Sequence, residues 1–237
     1  MDANSRLGVL AFGDSITNGG GELQWGVALQ SWALWTARGL GLPFTSFAVD
    51  GARVEDVVER QLPAAREWSA QPDARYDLGA LHIGANDVRA LDWDADAFAA
   101  HLTTVVDHLA GRCDRIVLLT VPVDLGRPRP DRARIDFANA AIEREAARAG
   151  ATLVDLRGFR GRRVLMADHV HPTAFGQIAI AERTLEALSA AGARPLVRPG
   201  DLIAYEETRP GRLRGDATYA YRHAKLTARN ALRQLPR

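Results

Sequence analysis

Five short apolar runs, separated by stretches patterned for helices, constrain this chain more than any other feature of its sequence. Residues 7–12, 44–49, 78–83 and 115–121 have strand length and strand composition, and residues 152–155 form a shorter fifth run. Most are nearly continuous in Val, Ile, Leu and Phe, the pattern of strands covered on both faces. Helical patterns occupy the intervals, at residues 25–40, 94–109, 131–149 and about 173–190. In the second of these, Phe98, Leu102, Val105 and Leu109 recur at helical spacing, and the third stops at Gly150. Strands alternating with helices predict an α/β fold, a parallel sheet between two helical layers in a three-layer αβα sandwich.

At 237 residues, 47% of them apolar, the chain can fill one domain with a sizeable core. Residues 1–192 are expected to form that domain. Residues 193–237, which carry Pro195, Pro199, Pro210, Gly200, Gly211 and Gly215 before a helical stretch at 218–235, are expected to extend it. Too few apolar residues remain there for an independent core. A net charge of +1 gives no case for a nucleic-acid partner. Lys225 is the single lysine among 30 basic residues, an arginine bias that reflects composition more readily than a binding site. Cys113 is the single cysteine, so an intrachain disulfide is impossible. The polar start runs directly into a short strand, and no apolar run approaches the ~18 residues of a membrane span. A cytoplasmic enzyme without a transmembrane segment is expected, and its oligomeric state stays open.

Three short segments carry chemistry. The first strand ends in Gly13-Asp14-Ser15-Ile16-Thr17-Asn18-Gly19, which puts a serine at the carboxyl edge of the sheet, where open α/β folds bind ligands. Gly-Asp-Ser is also ordinary turn chemistry. The third strand ends in Gly84-Ala85-Asn86-Asp87, where Asn86 can donate to an oxyanion or simply cap a turn. Asp168-His169-Val170-His171-Pro172 precedes the last core helix. A carboxylate three residues before a histidine can reach its Nδ1 and leave Nε2 free to take a proton. Pro172 restricts His171 to extended geometry and starts the helix. A metal site from Asp168, His169 and His171 is the rival, weakened by the lack of other suitably spaced ligands.

Together these segments resemble the SGNH (GDSL-type) hydrolase family over roughly residues 7–190. Gly13-Asp14-Ser15 matches its first block, Gly51 the glycine of its second, Gly84 to Asp87 its third, and Asp168, His171 and Pro172 its fifth. Two departures stand in the second block. Ser46 occupies the place where many members carry asparagine, and Asp50 sets a carboxylate, expected to point outward, beside Gly51. The resemblance implies a flavodoxin-like five-stranded sheet of order 2-1-3-4-5. It further implies Ser15 as nucleophile, His171 as base, Asp168 as its partner, and an oxyanion hole from the Ser15 and Gly51 backbone and the Asn86 side chain. The Gly-x-Ser-x-Gly elbow of α/β-hydrolases is absent.

The expected function is therefore hydrolysis of small-molecule carboxylic esters through a covalent acyl-serine, with no cofactor and no metal. Short acyl chains are favoured, because little chain is left over between the blocks for an apolar lid. The alternative is an acyltransferase that passes the acyl group to an alcohol by the same triad. Elsewhere His82 reads as a satisfied interior histidine, His169 as a turn residue, and His101 and His108 as helix residues without a role. Trp25, Trp32 and Trp35 read as one helix packed on the core, with Trp25 nearest the serine turn. Tyr221, Ala224, Ala228, Leu232 and Leu235 fall on one face of the last helix, read as the face that docks.

Overall fold

The computed structural model describes residues 6–21, 27–68, 75–203 and 209–233. Five parallel strands form one sheet in the order β2-β1-β3-β4-β5. They are β1 (Val9–Gly13), β2 (Phe44–Ser46), β3 (Tyr76–His82), β4 (Cys113–Leu119) and β5 (Thr152–Val154). The helices are α1 (Ser15–Asn18), α2 (Trp32–Leu40), α3 (Val54–Asp56), α4 (Leu62–Trp68), α5 (Ala95–Arg112), α6 (Arg132–Ala149), α7 (Ala174–Ala190) and α8 (Arg209–Arg233). A π-helical turn at Val57–Gln61 joins α3 to α4.

Alternation along each strand divides the core in two. Leu10 and Phe12 face one layer, where Phe98, Leu102, Val105 and Leu109 of α5 and Ile135 and Ile142 of α6 pack on the sheet. Val9 and Ala11 face the other, filled by Trp32 and Trp35 of α2 and Ile178, Ile180 and Leu188 of α7. β1 is buried at all five residues, so its continuous apolar sequence has a physical cause in burial on both faces. Its carboxyl end is thereby fixed between β2 and β3, and Ser15 follows one residue later, after Asp14.

The helices differ from those expected in three segments. The helix expected from residue 25 begins at Trp32, because Ser31 caps it by accepting from the Ala33 N–H at 3.1 Å. Trp25 lies outside the described residues. The run from Val54 to Trp68 is helical, an element that is not among those expected from the sequence. Val54, Val57, Leu62 and Ala65 supply its buried face. The final helix begins at Arg209, nine residues earlier than expected, and Tyr221 on its apolar stripe is 68% exposed. Ala224 and Ala228 are exposed as well, while Leu235 lies outside the described residues. The side of α8 that meets the rest of the molecule instead carries Asp216 and Tyr219, which reach Arg162 and His169. Residues 193–203 run over α2 and α7. The Leu196 N–H donates to Gly39 O at 2.8 Å, and the Gly200 N–H to Glu182 Oε1 at 3.2 Å.

Candidate active site

Ser15 is the first residue of α1, immediately beyond β1, and its turn is held from several sides. Asp14 caps α1 by accepting from the Ile16 N–H at 2.9 Å. Gln61, from the π-helical turn, uses its carboxamide like a neighbouring strand: it accepts from the Gly13 N–H at 3.0 Å and donates to Gly13 O at 2.8 Å. Gln177 of α7 accepts from the Trp32 N–H and donates to Ile16 O and Gly20 O. Both glutamines are buried, so each loses its hydration and makes compensating hydrogen bonds to the turn. At Gly20 a Cβ would stand 2.8 Å from Ser15 O and 3.0 Å from Ser15 Cβ, so any side chain there would press on the serine. Sequence reasoning misses Gln61 and Gln177, which act on groups 48 residues away and 145 to 161 residues away.

The structure brings Ser15, His171 and Asp168 together in one hydrogen-bonded line. Ser15 Oγ lies 3.0 Å from His171 Nε2, and His171 Nδ1 lies 2.7 Å from Asp168 Oδ2. With the proton on Nδ1, the imidazole donates to Asp168 and accepts from the serine hydroxyl. Asp168 Oδ1 also accepts the Val170 and His171 backbone N–H groups at 2.9 and 3.0 Å. Three donors thus fix the carboxylate. Burial opposes its charge, but the His171 hydrogen bond and the two backbone donors outweigh it and hold its pKa below the ordinary value. The His171 pKa is raised, first by the Asp168 hydrogen bond and then, against desolvation, by the charges of Asp168, Asp14 and Asp50.

Asn86 and Gly51 sit beside this line, beyond β3 and β2. Asn86 Nδ2 donates to Ala52 O at 3.0 Å, which ties the Gly51 turn to the end of β3. Gly51 has φ +78°, a left-handed conformation that a Cβ disfavours. Asp50 is exposed and accepts from Asn18 Nδ2 at 2.9 Å. Ser46 Oγ accepts from the Ala48 N–H. The Asp87 carboxylate is buried and accepts the Val54 N–H at 3.0 Å, so it too braces the second loop. Burial pushes its pKa up to about 6, with the nearby charge of Asp14 adding.

His82 is interior, as expected, but it is not satisfied. Neither ring nitrogen has a hydrogen-bond partner, and Nδ1 stands 3.6 Å from Asp14 Oδ1. Asp14 Oδ2 and Asp87 Oδ2 are also buried without partners, so a cluster of polar groups lies under the serine turn. The rival metal arrangement does not form. His169 points its Nδ1 to Asp124 Oδ2 at 3.0 Å while Asp168 binds His171. Among the described residues no group of three or more His, Cys, Asp or Glu side chains could hold a metal ion. None of the described helices is long and apolar enough to cross a membrane.

No curated protein sequence matches the chain. Among solved structures it is similar to LAE5, an α/β hydrolase enzyme from the metagenome of Lake Arreo, Spain. That similarity has 26% identity and a TM-score of 0.58, covering 78% of this chain and 96% of LAE5. It also shares its fold with Axe2, an acetylxylan esterase from Geobacillus stearothermophilus, at 23% identity and a TM-score of 0.57, over 79% of this chain and 96% of Axe2. The model of the GDSL-like lipase/acylhydrolase family matches residues 11–178, which include every segment named above around Ser15, Gly51, Asn86, Asp168 and His171. With that match over most of its length, the chain belongs to the GDSL-like lipase/acylhydrolase family of ester-hydrolysing enzymes.

Proposed function

We propose that this enzyme is a serine esterase that cleaves small carboxylic esters with short acyl groups, through an acyl-enzyme on Ser15. The observation that carries the reading is the unbroken path from Ser15 Oγ through both nitrogens of His171 to Asp168. Ser15 Oγ attacks the ester carbonyl as His171 Nε2 takes its proton. Asp168 holds the tautomer and stabilises the imidazolium. The developing oxyanion is met by the Ser15 and Gly51 backbone N–H groups and by the Asn86 amide N–H not engaged with Ala52. As the tetrahedral species collapses, the bond to the alcohol oxygen breaks and His171 returns the proton to that oxygen. Water then adds to the acyl-serine by the same route, His171 taking its proton and giving it to Ser15 Oγ as the carboxylic acid leaves.

The raised His171 pKa sets the acid limb of the reaction. The base must be neutral, so kcat/KM falls as pH drops through that pKa. The midpoint of this limb is expected above the ordinary histidine value of about 6.5. Asp168→Asn removes the first cause of the shift, so it should move the midpoint down and lower kcat by about 10⁴-fold. A pH profile of both proteins, each run with a short acyl ester, checks the sign; an unmoved midpoint would separate Asp168 from the base.

Short acyl groups are favoured by the way the loops around the site are tied to one another. Arg89 donates to Leu125 O, Arg134 to Ala90 O at 2.7 Å, and Arg53 pairs with Asp92 at 2.8 Å. Loops fastened in this way have little spare length to cover a long tail, and an uncovered tail gains little from burial. Across p-nitrophenyl esters, kcat/KM should be highest for acetyl to butyryl and should fall beyond. A steady rise to dodecanoyl would contradict the short-chain reading and leave the triad untouched.

A further inference from the structure

His169, between Asp168 and His171, has φ +61°, and among the described residues no other residue with a Cβ has positive φ. That backbone region is costly for a residue with a side chain and persists only when the surroundings impose it. Here three segments do so. The His169 N–H donates to Met166 O at 3.0 Å, within the turn. His169 Nδ1 donates to Asp124 Oδ2 at 3.0 Å, in the loop between β4 and α6. The Tyr219 hydroxyl of α8 lies 3.4 Å from His169 Nε2, and with Nδ1 protonated that nitrogen is the acceptor. His223, one turn further along α8, stacks on the Tyr219 ring at 6.0 Å between centroids and 7° between planes, and lies 6.1 Å from the His169 ring.

The contacts extend beyond one side chain. At Gly126 a Cβ would come within 2.0 Å of Asp168 O, so the loop bearing Asp124 lies directly on the backbone of the triad carboxylate. Arg162 pairs with Asp216 at 2.9 Å and fastens α8 to the same region a second time. Tyr219 and His223 both lie outside residues 11–178, the part of the chain that the family model matches. α8, beyond that part, meets the turn that presents His171 through Tyr219.

We propose that Tyr219 is a positioning residue for His171, acting through His169. The inference rests on the triad reading above. The link from Asp124 through His169 to Tyr219 holds the left-handed conformation at His169 and so sets the direction in which His171, two residues on, meets Ser15. Misplacing a reacting group by a fraction of an ångström slows the chemical step and leaves ground-state binding largely unchanged.

The test is a double-mutant cycle in the full chain, with Tyr219→Phe, His169→Gly and the pair. Tyr219→Phe removes only the hydroxyl. It should lower kcat about tenfold and slow phosphonylation of Ser15 by a fluorophosphonate in parallel, with KM within about twofold and folding intact by melting. Glycine adopts positive φ without a side-chain penalty, so the turn in His169→Gly no longer depends on Tyr219. In that background Tyr219→Phe should have no effect on kcat. A folded Tyr219→Phe enzyme with unchanged kcat would overturn the proposal, as would an equal loss in both backgrounds. His171→Ala serves as the control. If it too stays active, the triad reading has failed; if it is inactive while Tyr219→Phe is silent, only the role of Tyr219 has.

Discussion

His171→Ala is expected to lower kcat by about 10⁴- to 10⁶-fold, because it removes the group that activates Ser15 and protonates the leaving alcohol in the same cycle. Little stability should be lost with it. The imidazole is about one-third exposed, and Asp168 keeps its two backbone donors when the ring is gone. The measurement is steady-state kinetics on a short ester, beside a melting curve. A well-folded variant within tenfold of the parent would place the base elsewhere. His169 would not be the obvious substitute, since its ring nitrogens are engaged with Asp124 and Tyr219.

Asn86→Ala is expected to lower kcat by about 10²- to 10³-fold with little change in KM, the usual loss for one oxyanion donor. In the proposed role the donor acts on charge that is present mainly in the transition state, so the loss is expected in kcat. The structure adds a second route to the same result. Asn86 also donates to Ala52 O and so holds the turn that presents the Gly51 N–H. Removing it deletes one donor and loosens another, which favours the upper end of the range. Asp87 still anchors that loop through the Val54 N–H, so the fold should survive. A folded Asn86→Ala enzyme with the parent's kcat would mean that the oxyanion lies elsewhere.

Much of this could be read in the sequence, for identifiable reasons. A strand buried on both faces must be apolar throughout, and β1, β3 and β4 were legible for that reason. β2 is shorter than its apolar run at residues 44–49 suggests. It is an edge strand paired on one side only, and its regular pairing with β1 ends at Ser46. The Phe47 and Val49 N–H groups still reach Ala11 O and Gly13 O, so the chain follows β1 past the end of the strand proper. The helical run after Arg53 does carry a signal, in Val54, Val57, Val58, Leu62 and Ala65.

Within the site, the residues close in sequence were the readable ones. Asp168 and His171 are three apart and close their own hydrogen bond, while Ser15 is marked by its place after a strand. The supports are different in kind. Gln61, Gln177, Asp124 and Tyr219 act on groups 45 to 161 residues away, and nothing in their local sequence distinguishes them from surface residues. Interior placement of His82 followed from its strand, yet its unpartnered nitrogens depend on what β1 and the Asp87 turn bring against it. The apolar stripe of α8 predicts the wrong contact face, since Tyr221, Ala224 and Ala228 on it are exposed. Hydrogen bonds and ring contacts from Asp216, Tyr219 and His223 decide it instead.

In the proposed mechanism Ser15 Oγ is the atom that carries the acyl group. Reaction with a fluorophosphonate, followed by intact-mass and peptide mass spectrometry, reads that directly. One adduct per chain is expected, on the peptide containing Ser15, with activity lost in proportion to labelling. Its rate should fall on acidification along the same limb as kcat/KM, since both need neutral His171. Ser15→Ala should give no adduct and no turnover. An active Ser15→Ala enzyme, or an inactivating adduct on any other residue, would contradict the mechanism.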